Sequence, residues 1–580
     1  MILRCDLFHR LYEDIKSHTP VDRSSVLLFV GPGVDSLCAA HILSSTLSSD
    51  RIFYSQVAVT SQHHLIDVFN RHASLGPDLR TVFFINCGAG LRLRQLLKPH
   101  PQIKFIVIDS ARPVSLINAF EQRQIILVDD IDNGIQRQIN NIQAKFDKEG
   151  DAIDSESEVE ESYSVDSESF SYDSIRDDYE AVFSGAQSQP PYKRVRSEDD
   201  DVVTVGLLSH HRIGLKAPVV EAYYNLPTSF GSPTSLLLCR SLQLSRPPLV
   251  WAACVGSREY HVLDRCSQND WELSLSELNQ LVATAIQNHQ DYVYDEEEGT
   301  RRPDSLFEIS RSEEYAFCLL AFSSLKQAIE NTPSFSARLA LHKDTGRTLL
   351  ATVLPKIGIS LKDFETLFNH MSHTSKENLD NYWQESVDIF KLPSFKHQEF
   401  SVKRPGRHPI TSSDLVYVLL YILMFKKQEG LSSFSLANKL LMVPDEALLM
   451  KYVKETLELI SEVSKICRTV LAENFLRHNG YFYDVRLDRI PSDLFFDNPF
   501  ALMLLAHFLQ VSVSYRSVYS KKVQDLPIVL SILSSNHENP RYLVGGKVNT
   551  GSTKNFVGQC FLTMIATDEI KKRFQLEEDF

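Results

Sequence analysis

Ser25-Val-Leu-Leu-Phe-Val30-Gly31-Pro-Gly33-Val-Asp35-Ser36-Leu-Cys-Ala39 is the stretch that decides the fold. Ser25 to Val30 is a short apolar run closed by the turn Gly31-Pro32-Gly33, and Ser36 to Leu47 then carries apolar residues at helical spacing. A strand feeding a helix through a glycine turn opens a βαβ unit. Further along, Arg51–Thr60 reads as a second strand, Leu65–Phe69 as a helical stretch and Thr81–Asn86 as a third strand. Lys104–Asp109 and Gln124–Val128 read as a fourth and a fifth. The strands are apolar throughout, as a parallel sheet covered on both faces requires.

Three strands end in a polar residue or a glycine turn: the Gly31–Asp35 loop, Asn86-Cys87-Gly88 and Asp109-Ser110. In an open parallel sheet, sites form at the carboxyl ends of the strands. These three loops are therefore expected to converge.

The chain has 580 residues, enough for about four domains. With 43% hydrophobic and 10% aromatic residues it can bury large cores, which excludes a wholly disordered protein. The formal net charge of −14 excludes a globally basic nucleic-acid coat and leaves room for a local basic groove. Nine scattered cysteines with no C-x-x-C pair exclude a disulfide scaffold and a zinc ribbon, and suit a reducing compartment. The longest apolar run, Leu415–Phe425, has eleven residues against the roughly 20 of a membrane span. The segment starting at Met1 has no long apolar stretch of the secretory kind.

Most of the negative charge is local. From Glu149 to Glu180, thirteen Asp or Glu residues stand against the single Arg176, among eight serines. Such a segment cannot bury enough apolar surface to offset its ordering entropy, so 146–201 is expected to be a disordered loop. Ser155, Ser157, Ser174 and Ser197 each have an acidic residue three positions on, which suits an acid-directed kinase. Lys193, Arg194 and Arg196 form a short basic cluster, read either as a nuclear import signal or as solvated charge.

Beyond the loop, Leu236–Leu244 and the stretch from Leu249 through Trp251 to Gly256 read as buried helices. Residues 310–400 look mainly helical, with runs such as Tyr315–Ile329 and Leu361–His370. Asp414–Phe425 and Lys451–Leu471 read as helices, and Gln510–Tyr515 and Leu526–Leu533 as strands. Lys403, Arg404 and Arg407 form a basic turn, either a solvated face or a contact with a nucleic-acid backbone.

The order Gly31-Pro-Gly33-Val-Asp35, Ile85-Asn86-Cys-Gly88 and Asp109-Ser-Ala111-Arg112-Pro113 resembles the DHH phosphoesterase superfamily, to which the RecJ exonuclease belongs. A closer resemblance is to its eukaryotic branch, the cell division control protein 45 family. That resemblance runs over most of the chain. It takes in Val34-Asp35-Ser-Leu-Cys-Ala39, Ile85-Asn86-Cys-Gly-Ala89 and Trp251-Ala-Ala-Cys-Val-Gly256. It continues through Ser413-Asp414-Leu-Val416 and Lys554-Asn555-Phe-Val-Gly558, with the acidic insertion in the expected place.

The resemblance implies an α/β fold. A DHH-like parallel-sheet domain would be built from 1–145 and 202–300, with a helical insertion at 301–400. A smaller C-terminal α/β domain at 401–580 would resemble the DHH-associated domain. Active members of the superfamily hold two manganese ions with carboxylates and imidazoles. Here Gly33, Asn86 and Ala111 stand at three of those positions, leaving Asp35 and Asp109, with Glu259 near a later one. The expectation is a nuclease fold without catalysis, metal or cofactor. The implied function is a non-catalytic subunit of the eukaryotic replicative helicase, needed for initiation and fork progression in the nucleus. It would bridge the minichromosome maintenance hexamer and the GINS complex. DNA polymerase, replication initiation factors and single-stranded DNA are further implied contacts. The alternatives are an active manganese-dependent exonuclease and a free nuclear scaffold.

Other readings are weaker. Gly31-Pro-Gly33-Val-Asp-Ser36 approaches a dinucleotide fingerprint, but no ribose-binding carboxylate ends the second strand. Asp35 and Asp109 can each cap the helix after their own strand instead of binding metal. His63-His64 and His210-His211, read on strands, would point to opposite faces and chelate poorly. Gly546–Thr553 has Ser552 where a phosphate loop requires lysine.

Overall fold

The computed structural model describes residues 2–19, 24–59, 61–75, 79–110, 114–115, 118–119, 121, 124–129, 232–291, 308–390, 396–403, 409–424, 433–442, 445–487, 493–515, 526–533 and 542–547. The 146–201 loop, its four serines, Lys193, Arg194 and Arg196 fall outside them. So do Ala111, Arg404, Arg407, His210, His211 and the 554–558 motif.

The first part alternates as β1 (Ile2–Arg4), α1 (Phe8–His18), β2 (Val26–Val30), α2 (Val34–Ser49), β3 (Tyr54–Ala58), α3 (Gln62–Leu75), β4 (Thr81–Ile85), α4 (Leu93–Leu97), β5 (Lys104–Ile108) and β6 (Ile125–Asp129). The six strands form one sheet in the order β1-β6-β5-β4-β2-β3, and every pairing is parallel. The α/β class inferred from the sequence is therefore the observed one. β1 was absent from that reading; its three residues carry no periodicity and are placed only by pairing with Leu127–Asp129.

Alternation along the strands builds two cores. Val26, Leu28, Val30, Phe83, Ile85, Ile106 and Ile108 face the larger one with α2. Leu27, Phe29, Val82, Phe84, Phe105 and Val107 face the other with α3 and α4. There Phe29, Phe84, Phe105 and Phe69 follow in series, with ring centroids 5.5, 5.3 and 5.7 Å apart. Such offset and edge contacts are the favoured aromatic geometries.

The chain returns as α5 (Thr234–Ser241), α6 (Pro247–Val262) and α7 (Gln268–Asp291). The proline pair at the start of α6 removes N–H groups that would have no partner there. α6 is buried from Leu249 to Tyr260, including Ser257, Arg258 and Glu259.

The span read as mainly helical is framed by strands. β7 (Glu308–Tyr315) comes first, followed by α8 (Leu325–Asn331), α9 (Pro333–Arg338), α10 (Asp344–Ile357), α11 (Leu361–Glu365) and α12 (His373–Phe390). β8 (Lys396–Lys403) then pairs antiparallel with β7 over its full length, and β9 (Ile410–Thr411) completes a three-stranded sheet. The expected helix from Tyr315 is thus short, starting at Leu325. Glu308–Tyr315 has almost no apolar residues to mark a period, and pairing with β8 settles its conformation.

The last part contains α13 (Ser412–Met424), α14 (Ser433–Met442), α15 (Glu446–Ala472), β10 (Arg477–His478), β11 (Tyr483–Arg486), α16 (Asp493–Asp497), α17 (Phe500–Ser514), β12 (Ile528–Leu533) and β13 (Tyr542–Lys547). The strands form a mixed sheet in the order β10-β11-β12-β13. Gln510–Tyr515, expected as a strand, is the end of α17. Its alternating Val-Ser-Val-Ser continues the apolar run from Phe500, and short apolar runs do not separate strand from helix. His63 and His64 lie on α3, not on a strand. No helix among the described residues is long and apolar enough to cross a membrane.

Candidate functional site

The carboxyl ends of β2, β4 and β5 do converge. Gly31 follows β2, and its N–H donates to Ile85 O at 2.9 Å. A Cβ on Gly31 would lie 2.3 Å from Asn86 O, so only glycine fits this approach. Asn86 itself sits at φ 48°, a left-handed conformation that asparagine tolerates better than most residues. That conformation turns its amide into the crevice.

The amide then joins the three loops. Asn86 Nδ2 donates to Asp35 Oδ2 at 2.9 Å, and Asn86 Oδ1 accepts from Ser110 N at 3.1 Å and Thr234 Oγ1 at 2.6 Å. Asp35 is 1% exposed. Its Oδ1 accepts from Ser235 N at 3.0 Å and Ser235 Oγ at 2.6 Å. Its Oδ2 also accepts from Thr234 N at 2.8 Å and Tyr260 OH at 2.9 Å. Ser110 Oγ in turn meets Tyr260 OH.

Asp35 therefore does act as a cap, but not of α2. Its two oxygens receive the first backbone N–H groups of α5, across the span that follows β6. The α2 terminus is capped from elsewhere. Its own N-cap residue, Gly33, has no side chain to offer, and Glu259 Oε2 accepts from Asp35 N at 2.8 Å. Glu259 Oε1 accepts from Arg265 at 3.1 Å. Burial pushes the Glu259 carboxyl up, and Arg265 and the α2 amides partly oppose the shift. Asp109 is 7% exposed and accepts from Ala89 N at 3.3 Å.

These residues do not fit the two-manganese centre that the superfamily resemblance implies. A carboxylate offers about four lone-pair directions, and Asp35 already receives five donors. A Cβ on Gly33 would sit 3.5 Å from Glu259 Oε2, so an aspartate there would press against a second buried carboxylate. Among the described residues, no group of three or more His, Cys, Asp or Glu is placed to hold a metal ion. What the arrangement can do is hold helices and loops together.

Sequence reasoning named Gly33, Asp35, Asn86, Asp109 and Glu259 around this crevice, but not Ser110, Thr234, Ser235 and Tyr260 as partners. The available signal was the polar string Ser257-Arg-Glu-Tyr260, which continues an otherwise apolar helix. Of the basic turn, Lys403 is described; it ends β8, exposed, opposite Glu308.

A second polar cluster was not anticipated. Glu399 on β8 is 1% exposed and accepts from Arg258 at 2.7 Å, from His397 at 2.9 Å and from Ser412 and Ser413 at the start of α13. Burial acts to raise its carboxyl, but Arg258 and His397 overcome this and hold it well below the usual range. Arg258 also lies over the Trp271 ring at 5.0 Å. The neighbouring Asp414 carboxyl, fully enclosed, is pushed up to about 7 by burial.

The CDC45 family pattern matches residues 26–577. The chain is 25% identical over 558 residues to the human cell division control protein 45 homolog, covering 93% of this chain and 91% of that protein. It is 23% identical to the Schizosaccharomyces pombe homolog, with 96% and 91% covered. The crystal structure of CDC45 from Entamoeba histolytica superimposes with a TM-score of 0.65 at 17% identity, covering 100% of this chain and 95% of that one. The chain belongs to the CDC45 family.

Proposed function

We propose that this protein acts in DNA replication as a non-catalytic subunit of the replicative helicase, bridging the minichromosome maintenance hexamer and GINS in the nucleus. Family membership supports the replication role. The observation that carries the non-catalytic part is the five-donor enclosure of Asp35, which leaves no lone pair for a catalytic cation. A subunit without chemistry can raise a motor's activity only through contacts that favour its productive conformation. In the same reading, Lys403, Arg404 and Arg407 contact a single-stranded DNA backbone. DNA polymerase and replication initiation factors are further partners, and the acidic loop is modified at Ser155, Ser157, Ser174 and Ser197. Residues 301–400 are read as an insertion. The pairing of β7 with β8 supports this, because the helices between them leave and rejoin the body at one sheet.

Affinity purification from dividing cells tests the reading. Stoichiometric recovery of the hexamer and GINS is expected; recovery of neither overturns it in favour of the free scaffold.

A further inference from the structure

Residues 256–265, the end of α6 and the turn after it, send polar groups into three separate neighbours. Arg258 donates to Glu399 on β8 and to Ser413 on α13, both at 2.7 Å. Glu259 and Tyr260 reach the crevice at the carboxyl end of the sheet. At the C-cap of α6, Leu263 O accepts from Lys547 Nζ at 2.7 Å, at the end of β13. Arg265 completes the third branch, with one nitrogen 3.0 Å from Met503 Sδ on α17 and another paired with Glu259.

Glu259 is the shared element. One oxygen holds the first turn of α2, and the other holds Arg265, whose guanidinium also touches Met503 on α17. Lys547 is itself enclosed and tied to the turn by its bond to Leu263 O; burial lowers its pKa to about 8, with Asp264 opposing and the nearby Arg265 cation adding to the shift. Withdrawal of β13 and α17 would remove Arg265 from Glu259 and leave a buried carboxylate without its compensating charge. Glu259, no longer held from its other side, would then turn away, and α2 would lose its cap.

We propose that residues 256–265 form a conformational relay, through which the docking of the C-terminal sheet sets the order of the crevice around Asp35. By linkage the coupling runs both ways: loosening the crevice weakens the docking of β13. This goes beyond the helicase reading and stands or falls separately from it, since it concerns the isolated chain.

Amide exchange on the full chain tests it. Lys547→Met and Arg265→Met should each raise exchange at Val34–Leu37 by about threefold or more, the range of couplings between residues in one network. Exposed Lys465→Met on α15 should leave those amides unchanged. In a Glu259→Gln background, which keeps an acceptor for the α2 amides but not the charge for Arg265, Lys547→Met should add no further effect there. If Lys547→Met does not fold, Arg265→Met carries the test, its side chain being 32% exposed. Exchange that rises only in β13 and α17, with Val34–Leu37 as in the parent, overturns the relay. So does an undiminished effect in the Glu259→Gln background.

Discussion

The Thr234 backbone N–H donates to Asp35 Oδ2 at 2.8 Å across 199 residues of chain. A carboxylate that the sequence resemblance would read as a metal ligand thus caps α5, a helix far along the chain. The same group ties α2 to α5.

Removing that carboxylate should be costly. Asp35→Ala leaves two buried backbone amides at the start of α5 without an acceptor, together with Ser235, Tyr260 and Asn86. The expected loss is about 2–4 kcal/mol, from a lost cap and unsatisfied donors. Urea unfolding measures it; a loss under about 0.5 kcal/mol, the level of an ordinary surface change, contradicts the clamp.

Introducing the carboxylates that the superfamily resemblance implies should not create a metal centre. In Gly33→Asp combined with Asn86→Asp, the new carboxylates face Glu259 and Asp35, and the Asn86 donor is lost. The double variant should be less stable than the parent and show no manganese-dependent cleavage of single-stranded DNA. For the parent, saturating manganese should move Tm by less than about 1 °C relative to a chelator, because only a ligand that binds the folded state stabilises it. Cleavage or a clear manganese-dependent rise in Tm would show that the crevice takes the ion.

The Arg258–Glu399 pair is buried at 2% and 1% side-chain exposure, so removing one partner leaves an uncompensated charge. Arg258→Ala should cost about 3–5 kcal/mol. Lys326→Ala breaks a pair exposed at 45% and 64% and should cost under about 1 kcal/mol. Equal costs in denaturant titrations would refute the distinction.

Asp414 gives a pH signature. Its carboxyl is raised from 3.8 to about 7 in the folded chain, so between those values the folded state binds more protons than the unfolded one. Stability from this group is therefore complete below pH about 4 and is lost as pH rises toward 7. Asp414→Asn should flatten that part of the profile. Unchanged curvature between pH 5 and 8 in the variant would assign the effect to another group.

The parallel sheet was legible because β2, β4 and β5 are continuous apolar runs ending in Gly31, Asn86 and Asp109, and such runs have few alternatives. The convergence of those ends followed from parallel topology alone. The partners of Asp35 were not legible. Thr234 and Ser235 act through backbone N–H groups, which every residue type but proline has, and through hydroxyls whose approach depends on where α5 docks. The role of Gly33 shows the same limit: glycine marked a missing ligand, while the structure shows that Glu259 caps α2 beside it. β7 escaped notice because its strand character comes from β8, 81 residues further on at the Tyr315–Lys396 end of the ladder.

On the function proposed above, the crevice holds structure while the protein works through the motor it joins. The most direct test of this claim is DNA unwinding in a replication extract depleted of this chain, with the loaded hexamer measured on the same chromatin. Unwinding should stop while the hexamer stays loaded, and purified chain with no ATPase or manganese-dependent nuclease activity should restore it. Unwinding at the normal rate in the depleted extract, or rescue that requires cleavage by the added chain, would contradict the account.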